Sequence, residues 1–173
     1  MRLRQMAVAF LLNEEQEVLF LQKREKGTFL AGHLVPIGGH IDGEEINDPK
    51  KACIREIEEE TGLKSDYIED LSLRYIFLRM KDNQEIRIQY VFFGNISKNS
   101  TLTESDEGSL EWLDCMEIPN RNVSATTIEI AKHYMELGTS TEKIYVGSMK
   151  SLNGIPEITW ALIEDWEPAL FNL

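Results

Sequence analysis

Glu56, Glu59 and Glu60 are spaced three and four residues apart in the run Arg55-Glu56-Ile57-Glu58-Glu59-Glu60-Thr61-Gly62-Leu63. On a helix turning by about 100° per residue they share an arc of roughly 100°. Cys53, Ile54, Ile57 and Thr61 take the opposite arc, and Glu58 points away from the other three carboxylates. Like charges at these spacings repel by roughly 0.2–0.5 kcal/mol per pair. A cation removes that repulsion, and hard divalent ions such as Mg²⁺ take carboxylate oxygens as ligands. The spacing therefore fits a helix-borne metal site. A solvated acidic helix face is the plainer alternative.

The flanks define where such a helix begins and ends. Asp48 is a good N-cap with Pro49 at the first helical position, and Gly62 follows the last periodic residue as a stop. A glycine-rich acidic loop, Gly38-Gly39-His40-Ile41-Asp42-Gly43-Glu44-Glu45, leads into it, and glycines there let the backbone approach a ligand closely. Loop and helix together resemble the signature of the Nudix (MutT-like) hydrolases. That signature reads Gly, five residues, Glu, seven residues, then Arg-Glu-apolar-x-Glu-Glu-x-Gly-apolar. The second half matches from Arg55 to Leu63 at every fixed position. In the first half, five residues lead from Gly39 to Glu45, but nine separate Glu45 from Arg55. Ile46-Asn47 reads as an insertion ahead of the helix cap, where it leaves the helix face intact.

The resemblance implies a site and a chemistry. Enzymes of this family cleave a diphosphate joined to another group, with divalent cations neutralising the phosphate oxygens while water attacks phosphorus. By matching positions, Glu56, Glu59 and Glu60 are implied to bind Mg²⁺ or Mn²⁺, together with the backbone of Gly39. Arg55 is implied to orient a glutamate through a charge-assisted hydrogen bond, without touching substrate. In MutT-like pyrophosphatases a further carboxylate comes from a distant acidic loop. Asp106-Glu107-Gly108 resembles that loop, with Glu107 as candidate metal ligand or base and Glu104, Asp106 and Glu111 close by. Lys23 and Arg24 end a strand where these proteins place a basic side chain beside the phosphates. Arg24 is favoured there because its planar fork suits a phosphate. For the base, Phe29 and Leu34 are candidates for an apolar wall, with core packing as the plainer role for Leu34. In MutT-like enzymes an asparagine near the start of the last helix reads the base; that start aligns with Ser124 to Thr127 here, and the nearest asparagines, Asn120 and Asn122, lie slightly upstream as the candidates. His40 sits in the signature loop, where a polar residue is usual, His33 borders the expected pocket, and His133 is expected on a helix surface.

The remaining chain supplies the frame. Its 173 residues, 42% apolar, suit a single domain over 1–173 with its own core. Residues 4–12 and 17–23 read as strands, as do Leu71 to Met80 and Glu85 to Ile96 about the turn Asp82-Asn83-Gln84. A short strand around Leu110 to Leu113 precedes a helix capped by Ser124 and ending near Leu137. Asn153-Gly154 marks a hairpin in the tail. The resemblance covers roughly residues 5–137 and implies an α/β/α sandwich about a mixed sheet. Residues 138–173 form an additional C-terminal β-hairpin that either braces the sheet or serves a subunit interface.

Net charge of −12 disfavours polymeric nucleic acid, which asks for a basic face. The apolar start from Met6 to Leu12 runs at once into Asn13-Glu14-Glu15 and reads as a strand, so a cytoplasmic protein without a membrane span is expected. Two cysteines, Cys53 and Cys115, give neither a disulfide framework nor a zinc site. The expected partner is a small nucleotide, bound by a monomer or homodimer. A nucleoside triphosphate pyrophosphatase releasing nucleoside monophosphate and pyrophosphate leads the readings, with oxidised dNTPs among the substrates. ADP-ribose or nucleotide-sugar pyrophosphatase is the alternative, and a nucleotide-binding module without catalysis a further one. Isomerase chemistry, known in the isopentenyl diphosphate branch of the superfamily, ranks last because neither cysteine is well placed.

Overall fold

The alternation of side chains along the first strand lays out the whole architecture. In β1 (Arg2–Leu12) Ala7, Ala9 and Leu11 enter one apolar cluster, while Val8, Phe10 and Leu12 enter another. Successive strand residues point to opposite faces, so a strand buried on both sides must lie mid-sheet with a layer on each face. The computed structural model describes residues 1–24, 31–137 and 142–165. It places β1 in one eight-stranded sheet with β2 (Glu17–Lys23), β3 (Leu34–His40), β4 (Glu69–Lys81), β5 (Glu85–Asn95), β6 (Gly108–Asp114), β7 (Ile144–Leu152) and β8 (Ile155–Ile163). The order is β6-β2-β3-β1-β5-β4-β7-β8. Pairs β1–β5 and β4–β7 are parallel and the other neighbours antiparallel. This is the mixed-sheet α/β/α sandwich expected.

Helix α1 (Pro49–Thr61) covers one face through Ala52, Cys53 and Ile57, each fully buried against Ala7, Ala9 and Leu11. Its ends follow the expected chemistry. The Asp48 carboxylate accepts the Lys51 N–H at 3.1 Å. Gly62, at φ +70°, closes the other end by donating to the Glu58 carbonyl at 2.8 Å, a left-handed conformation that favours glycine. Helix α2 (Ala125–Leu137) covers the opposite face with Ile130, Ala131 and Tyr134.

The C-terminal hairpin β7–β8 extends the sheet. Trp160 packs over Gly147, where a Cβ would come within 2.4 Å of the indole, and against Tyr75 and Phe77 of β4. His133 departs from the expected helix-surface position. Its ring stacks on Trp160 at 4.4 Å, and its Nδ1 lies 3.2 Å from the Tyr75 hydroxyl, joining α2 to the hairpin. Among the described residues, no helix is long and apolar enough to cross a membrane.

Candidate active site

Two consecutive glycines bring the backbone of β3 against the carboxylates of α1. Gly38 has φ +143°, and a Cβ there would lie 2.3 Å from the Ala7 carbonyl oxygen. At Gly39 a Cβ would instead meet the Glu56 carboxylate, at 2.5 Å. The Gly38 N–H donates to Glu60 Oε2 at 2.8 Å. Glu56 and Glu60 thus converge on one glycine pair. Both line a cavity of about 580 Å³, as do Gly38, Gly39 and Glu59.

The three carboxylates differ in surroundings, so they do not form the solvated acidic face that was the plainer alternative. Glu60 is 2% exposed, and burial pushes its carboxyl up to about 7 despite the Gly38 N–H and Lys23. Glu56 is partly buried and is also raised by desolvation, with the Arg55 hydrogen bond opposing. Glu59 is exposed and turned to Arg55 Nη1 at 3.0 Å.

Arg55 is the hub of the helix start. Besides Glu59, its Nη1 donates to Glu56 Oε1 at 2.9 Å. Its Nη2 donates to the His40 carbonyl at 2.9 Å. Nε and Nη2 together grip Glu45 at 3.0 Å each. Glu45 is buried, and its hydrogen bonds from Arg55 lower its carboxyl despite desolvation. The inserted pair left Glu45 without an assigned role, although five residues separate it from Gly39, as the signature has it for its first glutamate. The two inserted residues lie between the 3-10 turn Gly43–Glu45 and the α1 cap, so they displace neither end of this ion pair.

Opposite the glycine pair, the β2 end and the acidic loop supply Lys23 and Glu107. The Lys23 ammonium is ion-paired to Glu107 and lies 3.4 Å from Glu60 Oε1. Burial lowers the Lys23 pKa, and the two carboxylates outweigh it to give a net rise. Of the four acidic candidates, Glu107 lines the cavity. Glu104 instead accepts the Leu110 N–H at 3.3 Å, Glu111 pairs with Arg121 at 2.6 Å, and Asp106 lies outside the lining.

Two of the substrate-contact expectations need correcting. Lys23, rather than Arg24, faces the cavity; Arg24 is exposed and its N–H donates to the Glu107 carbonyl at 3.2 Å. Adjacent residues leave a strand end in opposite directions, and Lys23 has the inward one. Asn120 is exposed on the 3-10 turn Ile118–Asn120, away from the cavity, and Asn122 donates its side chain to the Gly32 carbonyl at 3.1 Å. Ser124, Thr126 and Thr127, from the cap and first turn of α2, line the cavity in their place. Leu34 packs in the core, His33 and His40 line the cavity, and Phe29 lies outside the described residues. Cys53 is fully buried, its thiol raised to about 12 by desolvation, and Cys115 donates to the Gln16 carbonyl at 3.3 Å.

The donor set suits a hard divalent cation: buried or half-buried carboxylates on a glycine-flanked backbone, with Glu60 short of positive charge. As placed, Arg55 and Lys23 hold these carboxylates. Among the described residues no three His, Cys, Asp or Glu groups stand close enough to grip an ion without side-chain rotation.

Comparison with known proteins gives the class of this fold and site. Residues 2–134 match the NUDIX domain, and the chain belongs to the Nudix family, whose members generally use divalent metal ions. An uncharacterised Nudix hydrolase of Bacillus subtilis, YvcI, is 34% identical over 113 residues, covering 63% of this chain. The match spans 65% of that relative's length. A MutT protein from Methanosarcina mazei superposes with a TM-score of 0.67 at 19% identity, over 81% of this chain and 97% of its own. A MutT protein from Bacillus halodurans gives 0.63 at 23% identity, over 95% and 99% respectively. At these identities both attest the fold.

Proposed function

We propose that this chain is a Mg²⁺-dependent hydrolase of a diphosphate bond in a small nucleotide, with Mn²⁺ able to replace Mg²⁺. The leading substrate is a nucleoside triphosphate, oxidised dNTPs included, cleaved to nucleoside monophosphate and pyrophosphate. ADP-ribose or a nucleotide sugar is the alternative. The observation that carries the reading is the convergence of Glu56 and Glu60 on Gly38-Gly39, with Glu59 beside them and Glu107 across the same cavity.

Bound there, the cation would neutralise phosphate oxygens and stabilise the leaving phosphate. Glu56, Glu59, Glu60 and the Gly39 backbone would hold it. Arg55 acts from behind, fixing Glu56 and Glu59 while Glu45 fixes Arg55. Lys23 supplies a positive charge beside the phosphates. Glu56 and Glu107 are the carboxylates suited to take the proton of the attacking water, and burial makes Glu56 the more basic than usual. Val8, Val35, Pro36 and Thr127 offer a mixed apolar and hydroxyl wall to the nucleoside. The hairpin β7–β8 belongs to the same folding unit in this reading, since it adds to the same sheet.

A product-release screen with Mg²⁺ tests it across nucleoside triphosphates, oxidised nucleotides, ADP-ribose and nucleotide sugars, with Glu59→Gln alongside. Pyrophosphate from a triphosphate, lost in the variant, is the expected result. Turnover of diphosphate-linked sugars alone would replace the substrate. Silence across the panel in a folded, metal-binding protein would favour a binding module.

A further inference from the structure

The cavity has a second charged end, opposite in sign to the first. Arg4 of β1 pairs in register with Arg87 of β5, and Arg87 pairs with Arg79 of β4. The three arginines form one row across adjacent strands, and all three line the cavity. Like charges directly opposite one another on a sheet face are destabilising. The next row, Arg2–Glu85–Lys81, adds one carboxylate between two more cations.

That carboxylate is already committed. Glu85 accepts from Arg87 Nε at 2.7 Å and from Arg2 at 3.3 Å. Arg4 donates to His40 Nε2, a neutral partner that offsets no charge. The half-buried Arg79 guanidinium has no hydrogen-bond or ion-pair partner among the described residues, and its pKa is lowered by desolvation and by Arg87. Asp42 is the other carboxylate lining this end. The balance stays positive within a chain of net charge −12. A nucleobase edge would satisfy one or two donors and neutralise none of these charges, whereas a phosphate does both.

The register also sets a distance. Gly39 pairs with Ala7, and Arg4 lies three residues along β1, so the near end of the row is about 10 Å along the strand from the glycine pair at ~3.3 Å per residue, and Arg87 and Arg79 follow one and two strands farther across the sheet. We infer that the row Arg4–Arg87–Arg79 is a second anion subsite, which holds a phosphate of the substrate that is not cleaved. The substrate class is then a diphosphate ester bearing a further phosphate that reaches the arginine end of the same cavity. The inference rests on the proposed hydrolase reading for the role of the acidic end, and the subsite itself is tested separately.

The probes are hexane-1,6-diol bisphosphate and hexyl phosphate, titrated calorimetrically into the full-length protein with Mg²⁺. Wild type should bind the bisphosphate at least about tenfold more tightly, a gain of ~1.4 kcal/mol. Arg79→Gln and Arg4→Gln should each bring that ratio down to about two- to threefold or less, and Arg79→Lys should restore part of it. General damage to the fold weakens both probes and cancels in the ratio. A wild-type ratio near one, or a ratio unmoved in both glutamine variants, would overturn the subsite. A preserved, arginine-dependent ratio alongside a hydrolysis screen that stays silent even when extended to diphosphate esters bearing a further phosphate would uphold the subsite and remove the hydrolase reading. Turnover of simple nucleotides with a ratio near one would do the reverse.

Discussion

Glu59 and Glu60 are neighbours in sequence with opposite surroundings, and a single exchange should therefore act differently at each. Glu59 is exposed and held by Arg55, so Glu59→Gln should leave the melting temperature within about 2 °C of wild type. Turnover should fall by about 100-fold or more, the scale on which one preorganised charge acts. Glu60 is buried with an incompletely neutralised charge. Glu60→Gln should leave the metal-free protein as stable or more so, because an unneutralised buried carboxylate is unfavourable, while abolishing stabilisation by Mg²⁺. Thermal melts with and without Mg²⁺ check both, and a full Mg²⁺-induced shift in both variants would sink the metal assignment. The glycines give a matched contrast. Gly38→Ala sets a Cβ against backbone at a φ that L residues avoid, and should cost about 2–4 kcal/mol. Gly39→Ala meets only the Glu56 side-chain end, so the protein should fold while turnover collapses; chemical denaturation and the release assay separate the two. The sequence made the carboxylate set legible because side-chain period and helix period are fixed by geometry. It could not rank the burial of Glu56, Glu59 and Glu60, which depends on how closely β3 and β2 approach α1.

At the scale of elements, the tie between the 3-10 turn and α1 decides whether the carboxylates are presented together. Arg55 is gripped by Glu45 through two hydrogen bonds of 3.0 Å, and its side chain is 27% exposed. Glu45→Ala should cost about 1–2 kcal/mol, the worth of charge-assisted bonds discounted for that exposure. Its effect on turnover should exceed its effect on KM, because freed Arg55 no longer fixes Glu56 and Glu59. Arg55→Ala should show the same split, and a pure KM defect in either variant would make the pair a substrate contact. Both helices, the other strands and the terminal hairpin could be read from periodicity, caps and the Asn-Gly turn, whereas Gly38, Gly39 and His40, expected in a loop, end strand β3. The choice between Lys23 and Arg24 could not, since one step along a strand reverses the face. Asn120 was misplaced for a similar reason: proximity in sequence to α2 does not say which way a 3-10 turn points. The Glu45 pairing was hidden by the inserted Ile46-Asn47, which breaks the spacing without moving either partner.

Across the whole molecule, the C-terminal hairpin lies beyond the NUDIX match yet completes the sheet, with β7 running parallel to β4. Besides that ladder, the hairpin meets His133, which stacks on Trp160, meets Tyr75 and Tyr145 edge-on and lies within hydrogen-bonding distance of the Tyr75 hydroxyl. Burial among these rings lowers the His133 pKa, with Glu136 opposing the shift. The folded state therefore binds this proton less tightly than the unfolded one, whose imidazole titrates near ~6.5. Stability from this contact is complete above about pH 6.5 and declines as pH falls from there through the lower folded value. Amide exchange in β7 and β8 should accelerate selectively as pH falls below about 6.5, after correction for intrinsic rates, while β1 and β5 keep their protection. His133→Phe keeps an aromatic ring against Trp160 and removes the titration, so its hairpin protection should be flat across that range. A pH-independent hairpin in wild type, or an equal loss in His133→Phe, would show that the imidazole does not govern the docking and that the ladder and the indole packing over Gly147 hold the hairpin without it.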